Sequence, residues 1–574
     1  MKNIFTISFA ILSQFVIAQP QFQWAINLGG VNSDYGAVIA ADRNGNVVNC
    51  GQFVGTVDFD PGAGVTTLIS TGTGNTDIYI TKYDGSGNFI WAKQFSGLGP
   101  ESAFSMVIDS IGNIFIAGSF NGTTDFNPGP ATSNLIANGN TAAFVVKLTE
   151  SGDFVWAKEM GPTGTSVGIA SGIAIDNAGN IYTTGYFNGA GDFDPGAGTF
   201  TLTSGASNSG YITKFDPSGN FIWAKQIGDG ASGNNVYSYG IVLDAAANIY
   251  TTGGFVHTVD FDPGSNVSSM TTTGSFQDAY ILKLDSGGNY RWSKQLGGSY
   301  DELAYSIALD ASANVYTTGV LISSQADFDP GSGTYYLSSF GSLDIYVSKL
   351  NSNGDFVWAR QLGGTLNDTP NSIAVDDSGA VYTTGFYTGT ADFNPDTIAQ
   401  DLLITGATNR DLFLSKLDSA GNYSWAQEMG GTSDDRGTKV SLDHNYNIYL
   451  TGYFNGTEDL DFSAGSFPLT SHGNYDAFLL KIGSPFSGIN SINRQNTISI
   501  YPNPALDKFS INILNSQDIA KIEIIDNRGR LIEVRTEISS MNTFDIKNNS
   551  PGIYFLKLMN RDGTAVFRKM VKLN

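Results

Sequence analysis

The chain of 574 residues has a single cysteine and only three histidines. Because one thiol cannot form an intramolecular disulfide, the fold has to draw its stability from packing. Cys50 lies in the segment NVVNCGQF, where other repeats have threonine, which predicts a small buried strand residue rather than a nucleophile. His257, His444 and His472 stand in different repeats at different positions, which is typical of exposed loop or turn residues rather than catalytic bases or metal ligands.

Familiar catalytic motifs are inconspicuous as well. No G-x-S-x-G elbow, H-E-x-x-H segment or phosphate-binding loop stands out in the sequence. Carboxylates are plentiful, but they recur as turn aspartates, whereas a glycosidase needs one asymmetric pair with one member in a pocket that raises its pKa. We therefore assign no catalytic residue from the sequence.

Lysine and arginine are scarce outside the C-terminal residues. From residue 498 onward there are 11 basic and 8 acidic residues, whereas the preceding part has 19 basic and 45 acidic residues, a net charge of −26. This charge opposes binding to a phosphate backbone, so we do not expect nucleic acid as a partner. The 45 acids comprise 39 aspartates and 6 glutamates, which indicates turn chemistry, because aspartate readily forms Asx-turns.

Long apolar stretches are absent after the first residues. Lys2 precedes a mostly apolar segment, 4–17, and Ala18 ends a short stretch suited to cleavage, which predicts a signal peptide over residues 1–18. No later stretch is long and apolar enough for a transmembrane helix. We therefore expect an exported chain with no transmembrane segment in its mature form.

The chain has instead a long internal repeat, marked by one tryptophan in each copy. Successive tryptophans lie 65 to 69 residues apart, and the intervals share phrases such as WAKQ, IYTTG and DFDPG. A period of this length with several strand patterns inside predicts a ring of β-sheet blades, with the tryptophans as core residues between blades. The tryptophans are Trp24, Trp91, Trp156, Trp223, Trp292, Trp358 and Trp425.

The third repeat illustrates the predicted blade. Residues 171–176 and 181–187 predict two strands joined by a tight turn, and residues 211–215 and 221–225 predict two more. Four main strands are the number found in a propeller blade. The apolar residues lie on both faces of the strands, as expected for sheets that are packed between neighbouring blades.

The two ends of the repeat region complement each other. Residues 22–25 carry the phrase of a fourth strand, whereas residues 476–481 carry that of a third strand with no tryptophan strand after it. The N-terminal strand is therefore predicted to complete the seventh blade and to leave no open sheet edge.

The connections predict two unlike faces. The first-to-second and third-to-fourth turns are short D-x-x-G-N segments, whereas the loops after WAKQ and the DFDPG insertions are long. In an antiparallel blade the two long connections emerge on the same side, and we predict that this long-loop face is the interaction face. The first kind of turn opens at Asp42, Asp109, Asp176, Asp244, Asp310, Asp376 and Asp443.

The DFDPG phrase allows two readings. Its alternating carboxylates could supply oxygen ligands to calcium, or its aspartates could cap a Pro-Gly turn; two carboxylates fall short of the usual six to eight oxygens, which favours the turn. No other cofactor is indicated. The seventh copy is read as Asp461-Phe462-Ser463-Ala464. The calcium candidates are Asp58, Asp60, Asp192, Asp194, Asp260, Asp262, Asp327 and Asp329.

The pattern changes near the C-terminus. Residues 484–497 are predicted to form a linker. Residues 498–574 then carry YPNP, a strand running into D-x-x-G-R, the phrase PGIYFLKL and a basic last strand, which together predict a small β-sandwich.

These C-terminal motifs resemble the C-terminal sorting domain of the type IX (Por) secretion system of Bacteroidota. That resemblance implies handling by the type IX machinery through residues 498–574, and a secreted or outer-membrane surface location in a Gram-negative bacterium. Residues 19–483 resemble the seven-bladed β-propeller repeats of secreted bacterial proteins, which implies an all-β, seven-bladed propeller ahead of the sorting domain. Because one fold can serve many unrelated functions, this resemblance does not identify what the propeller does.

Two functions are compatible with these features. The first is a non-enzymatic propeller that binds a protein or a polysaccharide on its long-loop face. The alternative is an extracellular polysaccharide hydrolase or lyase with its site at the central opening of that face. An enzyme should break the repeat symmetry with a polar cluster confined to one or two blades, and the sequence shows no convincing cluster of this kind.

Overall fold

The computed structural model describes residues 20–72, 74–396, 402–404, 409–431, 433–462, 465–483, 498–501, 505–513, 519–526, 530–560 and 565–572. The predicted signal peptide and linker lie outside these residues. The described residues form β-strands, turns and loops, and no helix among them could cross a membrane. The chain divides into a large part, Gln21–Ile482, and a small C-terminal part. The predicted domain boundaries themselves stay predictions.

The strands of the first four repeat units follow one order. An N-terminal strand, β1 (Gln21–Leu28), precedes unit one, which has β2 (Tyr35–Ala41), β3 (Val47–Phe53), β4 (Thr56–Asp58), β5 (Thr67–Ile69), β6 (Asp77–Tyr83) and β7 (Phe89–Gly97). Unit two has β8 (Glu101–Ile108), β9 (Ile114–Phe120), β10 (Thr123–Asp125), β11 (Asn134–Ile136), β12 (Ala142–Leu148) and β13 (Phe154–Pro162). Unit three has β14 (Gly168–Ile175), β15 (Ile181–Phe187), β16 (Ala190–Asp192), β17 (Thr201–Thr203), β18 (Ser209–Phe215) and β19 (Phe221–Ile227). Unit four has β20 (Val236–Leu243), β21 (Ile249–Phe255), β22 (Thr258–Asp260), β23 (Ser269–Thr271), β24 (Asp278–Leu284) and β25 (Tyr290–Leu296).

The remaining units and the C-terminal part complete the set. Unit five has β26 (Glu302–Leu309), β27 (Val315–Leu321), β28 (Ala326–Asp327), β29 (Tyr336–Leu337), β30 (Asp344–Leu350) and β31 (Phe356–Gly364). Unit six has β32 (Thr369–Val375), β33 (Val381–Thr388), β34 (Thr390–Asp392), β35 (Leu402–Ile404), β36 (Arg410–Leu417) and β37 (Tyr423–Met429). Unit seven has β38 (Arg436–Leu442), β39 (Ile448–Asp459) and β40 (Pro468–Gly483). The C-terminal part has β41 (Ile498–Tyr501), β42 (Lys508–Ile513), β43 (Ile519–Asp526), β44 (Leu531–Arg535), β45 (Met541–Asp545), β46 (Gly552–Asn560) and β47 (Ala565–Lys572).

Each repeat unit is built on an antiparallel sheet of four strands. In unit three the order is β14-β15-β18-β19, which agrees with the four strands predicted from its sequence. The β-branched and aromatic residues of these strands suit a pleated surface, and the second strand, Ile181–Phe187, is buried along almost its whole length. Because the sheets are covered on both faces, each hydrophobic cluster combines side chains of neighbouring units.

The short turns close through their aspartates. Asp176 Oδ1 accepts hydrogen bonds from the backbone N–H groups of Ala178 and Asn180, at 2.9 Å each, and its Oδ2 accepts one from Asn180 Nδ2 at 2.7 Å. Gly179 has a φ of 82°, a conformation that glycine adopts without strain. This geometry explains why D-x-x-G-N recurs along the chain.

Each tryptophan packs between two units, as predicted. The Nε1 of Trp358 donates to the carbonyl of Ser419 at 3.2 Å, and a Cβ on Gly421 would lie 2.9 Å from its indole. Lys349, the penultimate residue of the third strand of unit five, donates to the same carbonyl at 3.2 Å and lies over the ring of Tyr316. A tryptophan and a lysine of one unit therefore hold the third-to-fourth turn of the next unit.

The N-terminal strand β1 pairs with β40, the third strand of unit seven. Its Trp24 makes the same hydrogen bond as Trp358, because Nε1 donates to the carbonyl of Gly85 in unit one at 3.2 Å. Lys481 of unit seven donates to the same carbonyl at 2.6 Å. Ile26, Val47 and Leu479 share one buried cluster, so the two ends of the repeat region are packed together.

The C-terminal part has two sheets, ordered β41-β42-β45 and β44-β43-β46-β47. They enclose a single hydrophobic cluster that includes Phe509 and Phe544 from the first sheet and Ile524 and Leu556 from the second. This arrangement agrees with the small sandwich expected from the sequence.

Candidate functional site

The DFDPG aspartates close the inserted loops. Asp58 Oδ1 accepts from the backbone N–H groups of Asp60 at 3.1 Å and Thr66 at 2.8 Å, and Asp60 Oδ1 accepts from Gly62 at 2.8 Å. The phenylalanine between them, Phe59, is fully buried. The same bonds recur at the calcium candidates Asp192, Asp194, Asp260, Asp262, Asp327 and Asp329.

The seventh DFDPG copy is not where the sequence placed it. Asp459 Oδ1 accepts from the backbone N–H groups of Asp461 at 3.0 Å and Phe467 at 2.9 Å, which is the bonding pattern of Asp58. The equivalent segment is therefore Asp459-Leu460-Asp461, with buried Leu460 in place of phenylalanine. Reading Asp461-Phe462 as the copy was wrong because Phe462 imitates the motif two residues later.

The carboxylates of these segments each serve a backbone turn. In the part of the chain that the structure describes, no group of three or more His, Cys, Asp or Glu side chains is arranged to hold a metal ion. Each pair of candidate aspartates offers two carboxylates that already accept backbone N–H bonds, so a cation there would have to compete with the turn.

The two long connections lie at the same end of the sheets. The inserted hairpin of unit two pairs with the end of the last strand of unit one, with Thr124 opposite Gly97. Asp192 likewise lies opposite Gly161, and Asp392 opposite Gly363. The long-loop face therefore exists as predicted. The first strand of each unit, which we call the innermost strand, starts from this face.

The innermost strands begin with a variable ring at this face. At the same place in all seven units, the innermost strand and the second strand form a cross-strand pair whose residues differ in every unit. We call these residues the inner ring. They are Tyr35–Gln52, Ser102–Ser119, Ile169–Tyr186, Tyr237–Gly254, Leu303–Val320, Thr369–Phe386 and Arg436–Tyr453.

The next cross-strand pair, one residue further from the long-loop face, has a constant member. In every unit its residue on the second strand is glycine. A Cβ on Gly319 would lie 1.6 Å from the carbonyl oxygen of Leu303, and one on Gly185 would lie 1.8 Å from that of Ile169. Only glycine allows this close approach of backbones. The glycine of the IYTTG phrase is thus structural, whereas the adjoining inner ring is free to vary.

A β-bulge follows the inner ring in all seven innermost strands. Bulges re-aim side chains, and here the seven bulge residues line a cavity of about 420 Å³ that is bordered by the innermost strands of all units. We call it the central cavity. The bulge residues are Ala37, Phe104, Ser171, Tyr239, Tyr305, Asn371 and Thr438.

Aromatic and arginine side chains gather on one side of the inner ring. The rings of Tyr35 and Tyr475 lie 4.9 and 5.4 Å from that of Tyr453. The guanidinium of Arg436 lies 4.6 Å from the centre of the Phe386 ring and 5.7 Å from that of Tyr453. Half-buried tyrosines and arginine beside a cavity are the side chains most enriched at binding sites.

Buried carboxylate pairs stand between units at the long-loop face. At the start of a third strand and at the start of the next innermost strand, carboxylates face each other as Asp77 with Glu101, and as Asp344 with Asp368. Burial, together with the neighbouring carboxylate, raises the pKa of Glu101 to about 8 and that of Asp368 to about 7. The other pairs are Asp278 with Glu302, Asp411 with Asp435, and Asp476 with Asp34.

The junction of units six and seven carries extra acids that sequence reasoning missed. We call Asp411, Glu428, Asp434, Asp435 and Glu458 the acidic cluster. Three of them, Asp411, Asp435 and Glu458, are at most 1% exposed. Burial and then the neighbouring acids raise the pKa of Asp411 to about 8 and raise that of Glu458 above its usual range. The repeat symmetry is therefore broken by a polar cluster.

A signal for this cluster was present in the sequence. Units one, three, four and five have glutamine at the position of Glu428, whereas unit two has Glu159. In units one, four and five the amide donates to the aspartate of the third strand, as Gln361 does to Asp344 at 2.7 Å. Glu458 replaces the small residues Val57, Ala326 and Ala391 of other inserted hairpins. Glu428 and Glu458, two of the six glutamates before residue 498, thus differ from the residues most common at their positions in the repeat.

Restoring the repeat residue should stabilise the protein. In Glu428→Gln the amide can donate to Asp411, and we expect the unfolding free energy to rise by about 1 kcal/mol. Chemical denaturation of the full chain at neutral pH measures it. The matched control is Gln361→Glu, which places a second acid beside Asp344 and should destabilise by a similar amount. A Glu428→Gln variant no more stable than the parent would contradict this account of the cluster.

The cysteine and the histidines make no catalytic constellation within the described residues. Cys50 is fully buried in β3, as predicted, and burial raises the pKa of its thiol. His257 lies in the turn before β22 with a φ of 61°. His472 differs from expectation because it stands within β40, where Nδ1 lies 2.9 Å from Oδ2 of buried Asp476.

Comparisons with known proteins bear on both parts of the chain. Residues 155–194 and 357–394 match the family model described as Beta-propeller repeat. Residues 499–573 match the model described as Secretion system C-terminal sorting domain. These matches confirm the two resemblances found in the sequence.

Individual relatives are distant. An uncharacterized WD repeat-containing protein, L264, of Acanthamoeba polyphaga mimivirus is 23% identical over 75% of this chain and 36% of its own length. The regulatory protein FlaEY of Caulobacter vibrioides is 27% identical over 26% of this chain and 15% of its own length. The chain thus spans well under half of both curated relatives. A solved protein of unknown function from Dyadobacter fermentans is 14% identical, covers 67% of this chain and 94% of its own, and has a TM-score of 0.34.

Proposed function

We propose that this protein, which carries beta-propeller repeats and a type IX sorting domain and is secreted or placed on the outer-membrane surface of a Bacteroidota bacterium, is a non-enzymatic binding propeller. Its ligand is an extracellular protein or polysaccharide that docks on the long-loop face. The C-terminal domain is the part that the type IX machinery handles.

We further infer seven blades in a closed ring. Supporting this, units one to six each have their own four-stranded core, and β38, β39 and β40 share a sheet with β1. Hydrogen bonds between the first and last units also support closure. Asn49 Nδ2 donates to Thr451 Oγ1 at 2.8 Å, and Thr438 Oγ1 donates to the carbonyl of Gly36 at 2.7 Å. Closure would remove the exposed edges that an open array leaves.

The observation that carries the binding proposal is the inner ring. Its pairs differ in all seven units, whereas the glycine directly beneath them is constant. Positions that are free of the structural constraint and surround a cavity are where a repeat scaffold can acquire a ligand. Three tyrosines and Arg436 on one side give such a site the amphipathic, half-buried side chains typical of interfaces.

The alternative, a polysaccharide hydrolase or lyase, has one observation in its favour. The acidic cluster places carboxyl groups with raised pKa values at a single junction, as a general acid requires. However, Asp411, Asp435 and Glu458 are buried among protein atoms, and a catalytic carboxyl has to reach its substrate within hydrogen-bond distance. This burial favours binding over turnover.

A direct experiment separates the two functions. The purified full chain is screened on glycan arrays and on extracts of cell-surface proteins and polysaccharides, and in parallel with polysaccharide panels for released reducing ends or unsaturated products. We expect retention of a ligand without product formation. Turnover that is lost in Glu458→Gln or Asp435→Asn would replace the binding proposal with the enzymatic one.

The DFDPG segments should not depend on calcium for their stability. Their carboxylates already accept backbone N–H bonds that close the turns, so we expect the melting temperature to stay the same on adding EDTA. A ligand bound only by the native state has to raise stability. A drop of several degrees with EDTA that added calcium reverses would show that the segments bind the ion.

A further inference from the structure

Two cationic side chains of the innermost strand of unit seven have no acidic partner among the residues that the structure describes. Lys439 is the one charged residue among those that line the central cavity, and it has no hydrogen-bond or ion-pair partner among the described residues. Burial lowers the pKa of its ammonium group, and no carboxylate contributes a compensating charge. Lys439 is half-buried, and removing an unpaired charge even partly from water is costly, so a scaffold that keeps one needs a reason to do so.

Arg436 stands at the mouth of the same cavity. Its Nε is buried without a hydrogen-bond partner, and its guanidinium lies over Phe386 and Tyr453 rather than against a carboxylate. It precedes Lys439 by three residues, which corresponds to about 10 Å along a strand. The neighbouring Arg410, by contrast, is paired with Asp434 at 3.4 Å. The two unpaired cations thus mark a path from the inner ring into the cavity.

These positive charges are exceptional in a strongly acidic part of the chain. The residues before 498 carry a net charge of −26, yet no acid neutralises Lys439 or Arg436 within the described structure. An anionic group of a ligand would supply the missing partner for each, and a charge-assisted hydrogen bond in a cavity is among the stronger polar contacts.

The shape of the site restricts the ligand. A cavity of about 420 Å³ enclosed by seven strands can admit the end of a chain molecule but not a folded protein surface. Its wall includes Tyr239 and Tyr305, whose rings lie 5.7 Å apart, and its mouth carries Tyr35 and Tyr453. Aromatic faces with hydroxyl groups suit the mixed apolar and polar surface of sugar rings.

We propose that the central cavity binds the end of an acidic polysaccharide, with a uronate carboxylate on Lys439 and a preceding anionic residue on Arg436. This deepens and rests on the proposed binding function. It assigns the recognition of charge to two side chains of unit seven, and the recognition of sugar rings to the tyrosines of the inner ring and cavity wall.

The test compares two ligands of equal length on the full chain. Isothermal titration calorimetry is carried out with a short oligogalacturonate and with a neutral oligoglucoside. We expect the oligogalacturonate to bind and Lys439→Met to weaken that binding about tenfold or more, because one charge-assisted bond is lost. Arg436→Gln should have a similar effect. The control is Lys283→Met, which removes a cation that lies over Tyr250 and does not line the cavity.

A second readout does not need the ligand. Because Lys439 is half-buried without a partner, Lys439→Met should melt at a temperature higher by about 1–3 °C in the absence of sugar. Equal binding of both oligosaccharides, or binding that Lys439→Met leaves unchanged, would overturn the proposal. Retention of a surface component without any oligouronate binding would overturn it too, while leaving the proposed binding function standing.

Discussion

The melting temperature of the protein should fall by about 5 °C or more as the pH is raised from 5 to 9. The cause is the set of carboxylates buried at the long-loop face. Burial raises the pKa of Asp34 to about 7, that of Asp344 to about 6 and that of Asp278 to about 7. Glu101 and Asp411 reach about 8.

The sign of the effect follows from proton binding. Unfolded Asp and Glu titrate near about 4, so between that pH and the folded pKa the folded state holds protons that the unfolded state has released. The stabilisation is fully present below about pH 4 and is lost as the pH rises through 6 to 8. Turn aspartates such as Asp216, whose backbone hydrogen bonds lower its pKa, act in the opposite sense at low pH. Maximum stability is therefore expected at about pH 4.

The measurement is a series of thermal melts of the full chain at constant ionic strength. Asp411→Asn and Asp34→Asn should each flatten the decline above pH 6, because the amide cannot ionise. Asp216→Asn is the matched control and should leave the slope above pH 6 unchanged. Stability that is constant or rises between pH 6 and pH 9 would show that these carboxylates are not buried as described.

Replacing Trp24 by alanine should destabilise the protein by about 2–3 kcal/mol, as much as the same change at Trp292. Both indoles are half-buried and contact a tyrosine ring, Tyr449 at 6.4 Å and Tyr250 at 6.0 Å. Both also pack on a glycine of the next unit, where a Cβ would lie 3.0 Å from Trp24 on Gly87 and 3.2 Å from Trp292 on Gly354. Trp292 lies in the middle of the repeat region, whereas Trp24 reaches its glycine only if the two ends meet.

Comparing the two variants by chemical denaturation tests ring closure. In an open array Trp24 would stand at a free end with no next unit to pack against, and its loss would cost well under 1 kcal/mol. Equal costs support a closed ring, and a much smaller cost for Trp24→Ala would contradict it. Lys481→Met should add to the loss, because Lys481 donates to the same Gly85 carbonyl as Trp24.

The repeat made much of the fold predictable, because its determinants are local. Turn aspartates such as Asp176 bond within five residues, and the β-branched strands and tryptophans recur at a fixed spacing. The seventh DFDPG copy was misread because Leu460 replaces its phenylalanine and Phe462 mimics it nearby. What holds the segment in place is the hydrogen bonding of Asp459, which a phrase comparison does not reveal.

The candidate site was much harder to predict. The long-loop face could be predicted from the lengths of the connections. The inner ring could not, because its residues differ between the units, and a comparison of repeats finds the positions that are constant. The acidic cluster draws Asp411, Glu428, Asp435 and Glu458 from four strands or loops of two units. The tertiary fold brings these side chains together. In the sequence, the only sign of this was that Glu428 and Glu458 differ from the residues most common at their positions in the repeat.

We propose that the inner ring at the long-loop face binds the ligand. The most direct measurement compares retention of a surface extract by the full chain, by Tyr453→Ala and by Tyr446→Ala. Tyr453 belongs to the inner ring, whereas Tyr446 lies in the short turn between β38 and β39, at the opposite end of the same sheet. We predict that Tyr453→Ala loses most of the retained ligand and that Tyr446→Ala keeps it. Loss in Tyr446→Ala with full retention in Tyr453→Ala would contradict the claim.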